Sequence, residues 1–321
     1  MSGPTREADF ADLADDPAPA HVARRDGRVR GPIPSAAAAR FGEASAPASV
    51  EVGQVRMVHG AAAMLALSVL ADSGIEHSRG QYHNRAMYMP LVSATLSILA
   101  SADGAARSEK SAHPLRLAAY GVAMVVGVVG TGFHLHNITE KPGGLCWENL
   151  FYRAPIGAPA ALSLSGLLGL AAEGIRNEKA GESPKLLGLP AAPALAGLTA
   201  LGLMGTTAEV SLLHFRGNFQ NKLMYLPVAL PPIAAALTAE AALNPHKRAR
   251  PQAKLWLGIT AALGVAGVAA HAYGTARYMG GWRNWRQNLF DGPPIPAPPA
   301  FSGLALAGFA ALALLERHGD D

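Results

Sequence analysis

The chain has 321 residues and a formal net charge of +4; half of its residues are hydrophobic and only 16% are charged, well under the ~25% of an ordinary soluble domain. A single cysteine, Cys146, excludes a disulfide scaffold, and basic residues confined to short clusters between apolar runs argue against nucleic acid as a partner. Long apolar runs punctuated by glycine and proline place the chain among integral membrane proteins.

Residues 1–53 mix Ala, Pro, Asp and Arg without apolar periodicity and predict a disordered tail. The Arg24-Arg25 pair is not read as a twin-arginine signal, because the next apolar run lies too far downstream to be its hydrophobic segment. Eight apolar segments follow, at 55–75, 87–102, 116–136, 156–173, 191–213, 224–242, 255–275 and 297–315, each near the ~20 residues that carry a helix across hydrocarbon. Their richness in Ala and Gly would also suit a soluble bundle, but eight such runs exceed what a soluble core of this size uses. The sequence predicts an all-α, polytopic membrane bundle of eight transmembrane helices.

An even number of spans puts both termini on one side. That side carries 18 of the 27 lysines and arginines, so the positive-inside rule predicts cytoplasmic termini, in a bacterial inner membrane. Tyr88, Trp147, Tyr152, Tyr225, Tyr278, Trp282 and Trp285 fall on the other side, as an interfacial aromatic belt would.

The run from His77 to Pro90, with Arg79, Gly80, Asn84, Met87 and Tyr88, recurs from His214 to Pro227, with Arg216, Gly217, Asn221, Met224 and Tyr225, at an offset of 137 residues. Asp72 then matches Glu209, Gly127 and Gly130 match Gly264 and Gly267, and His134 matches His271. After a two-residue insertion, Asn149-Leu150-Phe151 matches Asn288-Leu289-Phe290, and Pro155 and Pro159 match Pro294 and Pro298. Four spans per unit insert in the same direction, so the expectation is two parallel four-helix repeats, residues 54–176 and 191–316, joined by a cytoplasmic linker at 177–190 and followed by a short tail at 317–321.

Only two histidine pairs occur in both repeats: His77 with His214, and His134 with His271. All four end outward-running spans, and one histidine from each of two helices is the ligand set of a bis-histidine haem b. Pairing within each unit, His77 with His134 and His214 with His271, gives two haems; pairing His134 with His271 across the axis gives one. The first explains why the first-span histidine is repeated. Arg79 and Arg216 are candidates for the haem propionates, with snorkelling to headgroups as the alternative. Gly127, Gly130 and His134 share a helix face, as do Gly264, Gly267 and His271, and that groove suits either a flat macrocycle or close helix packing.

Asp72 and Glu209 invite a metal site of two histidines and a carboxylate, but five residues separate each acid from its histidine, about 140° around a helix. Asn84 and Asn221 read as loop braces, and Met87 and Met224 as packing residues rather than ligands. His59, His83 and His136 correspond to Ala196, Gln220 and Tyr273 in the other repeat and cannot belong to a site present twice. No phosphate loop, nucleophile elbow or HExxH helix occurs.

These residues describe an electron-transfer or anchor subunit more than a stand-alone enzyme. The leading reading is a b-type cytochrome subunit in contact with membrane lipid, relaying electrons between quinone and an outer-face partner such as a periplasmic redox protein or dehydrogenase subunit. A cofactor-free anchor whose loops 141–155 and 276–297 dock a periplasmic protein is the second reading, and a transporter or channel using Asp72 and Glu209 is the third.

Overall fold

The computed structural model describes residues 46–109, 111–152, 155–177, 184–186, 188–245 and 250–318. The tail expected over residues 1–53 lies outside them as far as residue 45, and the first helix extends into its remainder. In chain order the elements are α1 (Ala46–Arg79), α2 (Met89–Ala106), α3 (Pro114–Thr139), the short α4 (Trp147–Tyr152) and α5 (Gly157–Arg176). A two-residue hairpin, β1 (Lys185–Leu186) against β2 (Leu189–Pro190), lies in the expected linker. Then come α6 (Ala191–Arg216), α7 (Leu226–Ala229), α8 (Pro231–Leu243), α9 (Pro251–Ala276), the short α10 (Trp285–Asp291) and α11 (Pro299–His318).

Eight helical stretches among the described residues are long and apolar enough to cross a membrane, from Val52–Arg79 to Pro299–Arg317. Such runs form helices because a helix pairs every backbone polar group within itself, which hydrocarbon demands. Proline opens α2, α3 and α9, where its missing N–H would have no partner anyway. The sixth span divides into α7 and α8 at Leu230, because Pro231 and Pro232 cannot donate to the preceding turn.

The buried centre is built from α1, α5, α6 and α11: α1 and α6 each pack on both α5 and α11. Outside them, α2 and α3 cover α1 and α5, while α8 and α9 cover α6 and α11. Leu65, Leu195, Leu203, Leu304 and Leu312 are fully buried in one continuous core. Hydroxyls tie the helices together where backbones approach: Ser165 Oγ donates to Ala62 O at 2.8 Å, and Ser68 Oγ to Pro296 O at 2.6 Å. The outward faces of α3 and α9 expose Val122, Val125, Val129, Leu255 and Val265, a surface compatible with lipid contact. All seven aromatics of the expected belt are exposed, in the loops that follow α1, α3, α6 and α9. That end is called the histidine end below.

Candidate functional site

The turn after α1 takes an uncommon path. Gln81 and Tyr82 have φ of 55° and 46°, and Asn218 and Phe219, after α6, have 54° and 43°. Left-handed backbone at non-glycine residues is unfavourable, yet it occurs at matching places in both loops. Asn84 Oδ1 accepts from Ala86 N at 2.9 Å and Asn221 Oδ1 from Leu223 N at 3.0 Å, capping the single 3-10 turn that follows, so these asparagines brace the loop as expected. Tyr82 stacks on Tyr88 at 4.5 Å and Phe219 on Tyr225 at 4.4 Å. Replacing Gln81, which is exposed, by glycine should stabilise the protein by about 1 kcal/mol, whereas Asn218→Gly should gain less because asparagine tolerates this conformation; thermal unfolding of the two variants checks the difference.

Each loop ends by turning a methionine carbonyl onto the histidine that closes the preceding helix. His77 Nδ1 lies 2.6 Å from Met87 O, and His214 Nδ1 lies 2.7 Å from Met224 O. The ring at position 82 or 219 meets each imidazole edge-on. Met87 and Met224 act here through their carbonyls, while their methyl carbons pack beneath Gly80 and Gly217. His134 and His271 are held in the same way by other segments: Nδ1 of His134 is 2.6 Å from Pro155 O, and Nδ1 of His271 is 2.7 Å from Pro294 O. A carbonyl only accepts, so all four Nδ1 atoms carry a proton, and in the neutral imidazole Nε2 then holds the lone pair.

The helix arrangement brings these histidines near one another two by two. His77 on α1 and His134 on α3 lie within electrostatic reach of each other, as do His214 on α6 and His271 on α9. In each case the two helices are diagonal partners of a four-helix group. Imidazole with Nδ1 anchored on a carbonyl is the arrangement found in metal-bound histidine, and such rings would be nitrogen donors for a haem iron.

Other expected contributors are placed differently. Arg79 Nη1 is bound to Glu76 Oε1 at 2.6 Å, so it is paired within its own helix. Position 213 carries Leu instead of that glutamate, and the Arg216 guanidinium lies 5.9 Å over the Phe151 ring. The glycine faces seat a neighbouring helix. A Cβ at Gly127 would collide with Ser163 and the Pro159 carbonyl, and one at Gly264 with Ser302 and the Pro298 carbonyl. Close packing therefore accounts for Gly127 and Gly264, and no macrocycle rests on those faces.

Glu209 folds over Gly157 and accepts its backbone N–H, at the positive end of α5. The residue matching Gly157 is Pro296, which has no N–H, and Asp72 instead lies near Glu76 and Glu209. Among the described residues no three His, Cys, Asp or Glu side chains gather to hold a metal ion, so neither acid joins its histidine pair in a three-donor site. His83 is exposed and bonded to Gly80 O, and His136 is exposed.

The structure also assembles a group that sequence reasoning missed. His59, Arg116, Tyr120, Glu173 and Arg176 meet at the opposite end of the bundle, buried among α1, α2, α3 and α5. Arg116 Nε and Nη2 reach the two carboxylate oxygens of Glu173 at 2.8 and 3.2 Å, and its Nη1 reaches Asp103 Oδ2 at 2.8 Å. The signal was present in the internal duplication: the matching positions carry Ala196, Ala253, Leu257, Leu312 and Leu315. Polarity found in one half alone marked the group. No protein family, curated protein or solved structure matches this chain.

Proposed function

We propose that this chain is an integral membrane subunit of an electron-transfer system, with b-type haem held by His77 and His134 in one place and by His214 and His271 in another. The observation that carries this reading is the common state of the four imidazoles, each Nδ1 donating to a backbone carbonyl and each Nε2 left as a free donor of electrons. Bound haem supplies a one-electron carrier. The chain's residues fix the ring planes: the Met87 and Met224 carbonyls, with the Tyr82 and Phe219 edges, orient one imidazole of each pair, and the Pro155 and Pro294 carbonyls orient the other.

The chain is proposed to be two parallel four-helix repeats, 54–176 and 191–316, related by an axis along the membrane normal. Support comes from hydrogen bonds that recur at the sequence offset, such as Asn149 Nδ2 to Pro142 O and Gly144 O beside Asn288 Nδ2 to Met279 O and Gly281 O. Termini in the cytoplasm of a bacterium, with the histidine end outward, follow from the distribution of basic residues. Electrons would pass between quinone and a periplasmic redox protein or dehydrogenase subunit at that face.

Protein purified in detergent from haem-sufficient cells should show a Soret band and a reduced α-band, with two haems per chain by pyridine haemochrome. A spectrum without these bands, unchanged after haem is added, would overturn the assignment and leave the anchor and transporter readings. For orientation, Ser108→Cys and Asn244→Cys should resist an impermeant thiol reagent in intact cells of a Cys146→Ser background, while Asn218→Cys should react. The reverse pattern would invert the topology.

A further inference from the structure

At the end opposite the histidine pairs, His59 occupies a position with a ready partner for either protonation state. Its Nδ1 is 2.8 Å from the Tyr120 hydroxyl, which lies 3.1 Å from Ser101 Oγ. Its Nε2 is 3.3 Å from Arg176 Nη2, a donor, and equally 3.3 Å from Glu173 Oε1, an acceptor. We propose that His59 is a proton-binding site, loaded from the aqueous phase beside His113, with Nε2 exchanging Arg176 for Glu173 as its partner.

With His59 neutral, Arg176 donates to Nε2, so the ring proton sits on Nδ1 and runs to Tyr120 and on to Ser101. An added proton occupies Nε2 and is donated to Glu173 Oε1. The N–H···O bond that forms replaces the one accepted from Arg176, and no side chain has to change rotamer. Arg176 remains anchored by the carbonyls of Gly104, Arg107 and Glu109. Its buried Nε has no hydrogen-bond partner among the described residues and lies 3.6 Å from Glu173 Oε1.

On the carboxylate side the group borders an exposed segment. Glu173 Oε2 accepts the backbone N–H of His113 at 2.8 Å, and His113 is exposed. The charged and titratable groups around His59 are Arg116 and Tyr120 from α3, and Glu173 and Arg176 from α5. Beyond them, Asp103 of α2 and Glu109 of the loop hold Arg116, and Asp103 also binds Arg107. From α11, Leu312 and Leu315 share the core with Val58 of α1, and Glu316 is paired with Lys254.

The fold itself does not require this polarity. On the reading of the chain as two repeats, the second four-helix unit fills the same places with Ala196, Ala241, Ala253, Leu257, Leu312 and Leu315. The ring is also fitted individually: a Cβ at Gly104 would strike the His59 imidazole, whereas the matching Ala241 is fully buried opposite Ala196. Buried ion pairs generally add less stability than apolar packing of the same volume, and ionisable residues inside a membrane span mark proton and ion pathways.

The test is histidine 15N NMR of the full chain in lipid nanodiscs, with the His59 signal assigned by its loss in His59→Gln. Should that variant fail to fold, His59→Ala combined with Gly104→Ala, which copies Ala196 and Ala241, serves the same purpose. The signal should pass from neutral imidazole to imidazolium between about pH 5 and pH 8, and Glu173→Gln should lower the proton affinity of His59 about tenfold or more. A His59 signal that keeps one protonation state throughout that range, or a midpoint indifferent to Glu173→Gln, would overturn the proposal. The measurement needs no haem, so its outcome is separate from the assignment at the histidine end.

Discussion

His134→Ala should lower the haem content from two per chain to one, and His214→Ala should do the same through the other site. The two sites have separate mounts: His271 is held by Pro294 O and its partner His214 by Met224 O, whereas His134 is held by Pro155 O. The second site therefore keeps both Nε2 ligands when the first is broken, and pyridine haemochrome stoichiometry should fall by half along with the reduced α-band. Pairing His134 with His271 across the axis predicts loss of all haem from the same substitution. That arrangement needs the Gly127 and Gly264 faces to meet around the macrocycle, but α5 and α11 already occupy them through Pro159, Ser163, Pro298 and Ser302. Unchanged haem content in a folded His134→Ala protein would remove His134 from the ligand set.

Glu173→Leu alone should destabilise the protein by about 3–5 kcal/mol, because it leaves two buried guanidinium groups without their shared carboxylate. Arg116 would lose bonds at 2.8 and 3.2 Å and Arg176 its nearest negative charge. The companion result is recovery. A protein carrying His59→Ala, Gly104→Ala, Arg116→Ala, Tyr120→Leu, Glu173→Leu and Arg176→Leu together should regain most of the lost stability, since those residues are the ones at the matching places of the second half. Glu173→Leu alone strands buried charges, whereas the full set removes the buried charged side chains of the group together, so the energies should be strongly non-additive. Thermal unfolding in one detergent across the series reads this directly. Additive losses, with the six-fold variant the least stable, would show that the two halves pack differently at this end.

Much of the architecture was legible because membrane spans announce themselves locally. A run of apolar residues near the ~20 needed to cross hydrocarbon can satisfy its backbone in one common way, so all eight spans follow from short windows of sequence, whereas the break of the sixth at Pro231-Pro232 emerged only in the fold. Asn84 and Asn221 were legible for the same reason, since a cap acts across two residues. The duplication singled out His77, His134, His214 and His271 by position. Their tautomer was decided by carbonyls 10 to 23 residues away, which only the folded loops bring to Nδ1. Arg79 and the glycine faces show the same limit from the other side: Glu76 and the seated helices α5 and α11 took the partners that spacing alone left open. His59 and Glu173 lie 114 residues apart in the chain and 3.3 Å apart in space. An ionisable side chain in a span reads by itself as a snorkelling or incidental residue; burial with a complementary charge is a property of several helices packed together, and no single segment carries it.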